Sequence, residues 1–174
     1  MNMPNYFELF DLPVQLPVDV SLLTANYQQL QRQYHPDNFA TANDNDKMVM
    51  VQKSAMINDG YHTLKNPIKA AEHLLSLKGF DVATEQNIIH DADFLMEQFV
   101  LREKLEDIES QDDFVILDDF HSQVFARQRD VYKELLEFID KQDWEAALNQ
   151  IFKIRYLTRL IEQIEKLQEK QYAL

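Results

Sequence analysis

The sequence predicts an all-α chain, and three observations carry that expectation. Only two of 174 residues are glycine, Gly60 and Gly79, which disfavours an all-β fold with its many turn glycines. Apolar residues recur at spacings of three and four over most of the chain. Asp and Asn stand where such segments begin, and Pro or Gly where several of them end. The same composition excludes whole classes of function. A phosphate-cradling loop needs several glycines, so P-loop and dinucleotide folds are ruled out. With no cysteine there is no disulfide, thiolate metal site, cysteine-held iron–sulfur cluster or thiol nucleophile.

The elements follow in order. Asn5 caps a short helix, Tyr-Phe-Glu-Leu-Phe, and Pro13 and Pro17 bracket an extended connector. Asp19 or Ser21 opens a second helix to about Tyr34, with Leu23, Tyr27, Leu30 and Tyr34 at helical spacing. Pro36 ends it, because the residue before a proline avoids the α region. A polar loop, HPDNFATANDND, leads to a third helix from about Asp44 to Leu64. Met48, Val51 and Ala55 begin its apolar stripe, and Ile57, Tyr61 and Leu64 continue it. Asn66-Pro67 is a cap followed by a first-turn proline, and the fourth helix stops at Gly79. Beyond a connector, Asp91 or Asp93 opens a helix to about Glu109 with Phe94, Leu101, Leu105 and Ile108 on one side. Asp112 or Asp113 opens the next, with Leu117, Val124, Val131, Leu135 and Phe138 near one seam. Asp143 opens the last, with Ile151, Ile154, Leu157, Ile161 and Ile164. Short polar turns between these three imply an antiparallel three-helix bundle.

Charge divides the chain as well. Residues 1–75 carry 5 basic and 8 acidic side chains, whereas residues 84–174 carry 11 and 21. We expect a first domain over 1–75, a connector over 76–90 and a bundle over 91–174. A net charge of −13 argues against nucleic acid and against anionic membranes as partners. No apolar run approaches the ~18 residues of a membrane span. The start, MNMPNYFELF, has neither the basic and apolar stretches of a secretory signal nor the arginines of a mitochondrial presequence. A cytoplasmic protein is expected.

The sharpest motif is His35-Pro36-Asp37 at the end of the second helix. Bare H-P-D is short enough to occur by chance, but its setting is specific. Y-F-E-L-F, then Q-R-Q-Y-H-P-D, then I-N-x-x-Y-x-x-L-x-x-P, resembles the J domain of DnaJ-type co-chaperones, over residues 4 to about 75. L-L-S-L-K-G-F-D and F-L-M-E-Q farther on resemble the HscB-type J-domain co-chaperones of iron–sulfur cluster assembly, over nearly the full length. The resemblance implies a non-enzymatic protein with no cofactor of its own and two partners. The first is a DnaK-type ATPase chaperone (HscA-like), met by His35, Pro36, Asp37, Arg32 and Tyr34, with Asp37 paired to a chaperone arginine. The second is the iron–sulfur scaffold protein (IscU-like), held by the bundle. Two departures stand out. The second helix offers only Arg32 as a cation, with Asn38 where the family commonly has lysine, so steering toward an acidic chaperone face is weakened. Gly60 stands where alanine is usual, which predicts a locally soft third helix.

Periodicity supports a binding face independently. At ~100° per residue, Leu95, Met96 and Phe99 fall opposite the Phe94–Leu101–Leu105–Ile108 stripe, near Glu103 and Glu106. A packed helix must cover such residues or present them to a partner. Tyr156 lies off the isoleucine stripe of the last helix, as does Phe152, and it matches an aromatic position of the family's scaffold-binding surface. The expected scaffold site is therefore Leu95, Met96, Phe99, Glu103, Asp107 and Tyr156. Rival readings are weaker. His90-Asp91 is similar to the metal pair of HD-type phosphohydrolases, but Asp is also an ordinary cap there and the other histidines are scattered. The Asn43–Asp46 run lacks the glycine and distal glutamate of a calcium loop. Glu165, Lys166, Glu169 and Lys170 suit a solvated face with i,i+4 pairs. A helical adaptor without ATPase-stimulating activity is the remaining alternative.

Overall fold

In the computed structural model, residues 3–83 and 91–173 are described, and the chain divides into two compact units, residues 1–82 and 83–174. Each is built only of helices among the described residues.

The first unit contains α1 (Tyr6–Leu9), α2 (Val20–Gln33), a 3₁₀ turn (Pro36–Phe39), α3 (Asp44–Lys65) and α4 (Pro67–Leu77). Asn5, Asp19 and Asn66 cap as the sequence suggests and Asn43 caps α3 as well; each of the four accepts a backbone N–H from the first turn that follows. Just past the end of α4, Gly79 has a φ of 90°, in the left-handed region that glycine enters without strain. Helices α2 and α3 form an antiparallel hairpin. Thr24 meets Tyr61, the Tyr27 hydroxyl donates to Asn58 at 2.9 Å, and the Tyr27 and Tyr61 rings stack at 3.9 Å. The short α1 is held from three sides. Asn26 of α2 donates to the Phe10 carbonyl at 2.7 Å, and His73 of α4 accepts the Tyr6 N–H at 3.1 Å. On the third side lies Gly60 of α3, where a Cβ would stand 2.8 Å from the Tyr6 ring. Phe7, Phe10, Leu23, Ile57, Leu64 and Leu74 form the core that results.

The second unit contains α5 (Ala92–Gln111), α6 (Phe114–Asp140) and α7 (Trp144–Tyr172), capped by Asp91, Asp113 and Asp143. Its hydrogen bonds give the directions. Gln168, Glu165 and Thr158 of α7 meet Asp118, His121 and Gln128 of α6, in reversed order. Glu97 and Lys104 of α5 meet Arg127 and Gln123 of α6, again reversed. Asp91 and Gln98 of α5 meet Lys153 and Tyr156 of α7 in the same order. This is an up-down-up three-helix bundle. Its core is Phe94, Leu105 and Ile108 with Leu117, Phe120, Val124, Val131, Leu135 and the isoleucines of α7.

Four expectations change. Met48, Val51 and Ala55 are exposed and do not continue the buried stripe of Ile57 and Leu64. They lie in the first three turns of α3, and the core begins nearer its other end. The segment after His35 is not wholly a loop, since Pro36 starts a 3₁₀ turn. On α6 the seam includes Phe120 and Ile139, whereas Phe138 is only half-buried. Gly60, expected from sequence only as a soft point, is the place where α1 seats on α3.

Candidate functional site

Two surfaces carry the expected site residues, one in each unit. In the first, α2 ends at Gln33 and the chain turns sharply through His35 and Pro36. The His35 Nδ1 accepts the Asp37 N–H at 3.3 Å and lies 3.5 Å from the Asp37 carboxylate. His35 thus caps the 3₁₀ turn that Pro36 opens with its fixed φ. Arg32, Tyr34, His35 and Pro36 line one concave surface with Gln28, Gln31, Ser54 and Asn58. The Asp37 side chain stands outside it, 90% exposed, as a carboxylate free to meet a cation on another molecule. Tyr34 braces the turn from beneath, stacked on Phe39 at 6.5 Å with the Lys53 ammonium 5.9 Å from its ring.

One residue that fixes this geometry, Asn38, stood out in the sequence only as the absence of a lysine. The Asn38 amide donates to the carbonyls of Arg32 at 2.8 Å and Gln33 at 3.3 Å. It satisfies carbonyls that the end of α2 would otherwise leave bare. Where a lysine would add charge, asparagine closes the loop back onto the helix.

The second surface lies on α5. Leu95, Met96 and Phe99 are 48%, 65% and 65% exposed, and Val100 joins them. Glu103, Glu106 and Asp107 are exposed on the same helix. Leu95 and Phe99 share a pocket of about 240 Å³ with Gln98, Arg102 and Tyr156. The structure therefore brings Leu95, Phe99 and Tyr156 together, while Met96, Glu103 and Asp107 stand outside the pocket. Tyr156 is fixed from behind: its hydroxyl donates to the Gln98 carbonyl at 3.2 Å, and its ring meets Phe94 edge-on at 6.0 Å. Burial raises the Tyr156 pKa, so the phenol keeps its proton and remains a donor.

Two ion pairs hold this helix, and periodicity alone did not signal either. Arg127 of α6 grips Glu97 with two bonds, 2.7 and 3.1 Å, and the pair raises the arginine's pKa. Lys153 of α7, 5% exposed, bonds the Asp91 carboxylate beneath the Phe94 ring. The first sign of the second pair is a lysine inside the isoleucine stripe of α7.

The remaining candidates resolve simply. His90 lies outside the described residues. Asp91 is engaged by Lys153 and by the Phe94 N–H, as a cap is. Asn43 and Asp46 form the first turn of α3, bonded to each other. Glu165 turns to His121 across the bundle. Among the described residues no group of three or more His, Asp or Glu converges in a way that could hold a metal ion. Among the described residues, no helix is long and apolar enough to cross a membrane.

Comparison with known proteins places this chain in a family. Residues 90–165 match the model of the HSCB C-terminal oligomerisation domain. The chain is 44% identical to the co-chaperone protein HscB homolog of Photobacterium profundum, across 95% of this chain and 97% of that one. Its fold matches the chaperone HscB of Vibrio cholerae with a TM-score of 0.88 at 42% identity, covering 96% of this chain and 99% of the other. The human co-chaperone HscB matches with a TM-score of 0.84 at 30% identity, covering 100% and 85%. With identity at that level along nearly the whole chain, the chain belongs to the HscB family of co-chaperones.

Proposed function

We propose that this HscB-family co-chaperone acts in iron–sulfur cluster assembly by holding two partners at once. Residues 1–75 act as a J domain that stimulates ATP hydrolysis by an HscA-like, DnaK-type chaperone. His35 and Pro36 shape the loop, Asp37 pairs with an arginine of the chaperone, and Arg32 and Tyr34 flank it. The bundle of residues 91–174 holds an IscU-like scaffold protein through Leu95, Met96, Phe99 and Tyr156, with Glu103 and Asp107 at the rim. The protein is not itself an enzyme, carries no cofactor and works in the cytoplasm.

The observation that carries this reading is Asp37. Its carboxylate is presented on a turn whose shape is set by Pro36, His35 and Asn38. A preset loop loses little entropy on docking, and a carboxylate offered in this way suits a directional pair with arginine. Both sites lie on one chain, so binding one partner makes the meeting with the second intramolecular and raises its effective concentration.

Single-turnover ATP hydrolysis by the HscA-like chaperone tests the proposal. The wild-type chain accelerates it, His35→Gln does not, and added scaffold protein accelerates it further. Absence of acceleration by the wild type, with scaffold binding retained, would leave a helical adaptor instead.

A further inference from the structure

Acidic residues were expected around the apolar face of α5, yet the edge where α5 meets α7 is basic. Arg102 lines the pocket with Leu95, Phe99 and Tyr156, and its positive charge lies near the Tyr156 phenol. Arg159, one turn along α7, adds a second positive charge near the same phenol. Both arginines are exposed, and neither is in an ion pair with a described residue. By contrast, Arg127 is committed to Glu97, and Lys153 to Asp91. This happens in a chain where 30 acidic side chains face 17 basic ones, so acids are abundant while these two cations go unmatched.

The geometry suits capture of a carboxylate. A guanidinium offers five donors in a planar fork that fits a carboxylate with two bonds at once. Leu95 and Phe99 form apolar walls beside it. Once covered by a partner they exclude water and strengthen the ion pair that forms between them. Glu103 and Asp107 lie elsewhere on the exposed face of α5, outside this pocket. The face is therefore polarised, with cations at the α7 edge and acids beyond the apolar residues.

We propose that Arg102, supported by Arg159, is a specificity-determining residue that binds an aspartate or glutamate side chain of the scaffold protein beside its apolar anchor. This rests on the reading of the α5 face as the scaffold site. The scaffold surface then matches the polarity: an acid toward α7, an apolar centre, and basic groups toward Glu103 and Asp107. Such a pattern fixes the orientation of docking as well as its strength.

Titration calorimetry of the full chain with the scaffold protein, at low and at moderate salt, tests this. Arg102→Gln weakens binding by about tenfold at low salt, and its affinity depends less on salt than that of the wild type. Arg102→Glu weakens it more, and Arg102→Lys recovers part of the loss by keeping the charge without the fork. A purely structural role through Tyr156 would not move the salt dependence. Phe99→Ala separates the two readings. If Phe99→Ala abolishes binding while Arg102→Gln binds like the wild type with the same salt dependence, the arginine assignment is overturned and the scaffold site stands. If neither substitution changes the affinity, the scaffold site is elsewhere and the arginine assignment is lost with it.

Discussion

Lys153 of α7 is bonded to the same Asp91 carboxylate that caps α5, so one aspartate both starts the helix and ties it to its neighbour. The next turns of α5 carry Leu95, Met96 and Phe99, and the tie sets where that face begins. Lys153 is buried, whereas Asp91 is partly exposed. Removing the lysine therefore leaves a carboxylate that water can still reach in part. We expect Lys153→Met to destabilise the bundle by about 1–3 kcal/mol, below the loss seen when a fully buried pair is broken. Asp91→Ala removes both the tie and the cap and should lose more. Urea unfolding followed by fluorescence of Trp144, the sole tryptophan, reads both. An unchanged midpoint for Lys153→Met would show that the pair contributes nothing.

Gly60→Ala should lower stability although alanine is the better helix former. The substitution gains about 1 kcal/mol in helix propensity. Against this, the new Cβ would lie 2.8 Å from the Tyr6 ring and 3.0 Å from that of Phe10, whose side chain is buried. Over-packing of this kind costs about 1–3 kcal/mol. Thermal unfolding of residues 1–82 within the full chain, followed by tyrosine signals of that unit, should shift to lower temperature. A rise in midpoint would mean that α1 moves aside at no cost.

Asn38→Ala should impair chaperone stimulation while leaving Asp37 untouched. The Asn38 amide is bonded to the carbonyls of Arg32 and Gln33, and losing those bonds frees the turn after α2. The stability loss should be about 1 kcal/mol, as for other single caps. The larger effect is on docking, because a looser turn must be ordered at the moment of binding. Single-turnover hydrolysis should show a higher half-saturating concentration and a nearly unchanged plateau. A lower plateau at saturation would instead place Asn38 in direct contact with the chaperone.

Much of this was legible because helices announce themselves by period and by caps. Asn5, Asp19, Asn66, Asp91, Asp113 and Asp143 all cap as their sequence positions suggest, and the isoleucines of α7 are buried. The exposed trio Leu95, Met96 and Phe99 was readable for the same reason, as apolar residues off the stripe. Met48 and Val51 were misread because period alone does not tell a buried stripe from a bare one. Periodicity is also blind to contacts between distant residues. Gly60 under Tyr6, Lys153 against Asp91 and Asn38 on Arg32 depend on which helices meet, and local composition does not encode that. The same blindness hid Arg102: acids on α5 are visible in sequence, but the approach of Tyr156 from α7 is not.

Acid should act on the two units in separate pH ranges. In the first, His73 is buried, its ring stacks on Tyr6 at 4.6 Å, and its Nε2 accepts the Tyr6 N–H. Only the neutral ring can accept, and burial lowers the pKa below the ordinary 6.5. A depressed histidine stabilises the fold above its unfolded value, and that contribution drains away as pH falls through the folded one. In the second unit the bond from Lys153, aided by the Phe94 N–H, lowers the pKa of Asp91 below its ordinary 3.8. Its contribution persists until pH falls through that range. Amide hydrogen exchange, corrected for intrinsic rates, should show protection at Tyr6 declining below about pH 6.5 while protection at Phe94 holds until below about pH 4. His73→Gln, which keeps an acceptor that does not titrate, should flatten the response at Tyr6. Equal protection of the Tyr6 amide at neutral and mildly acid pH in the wild type would show that protonation of His73 leaves α1 in place.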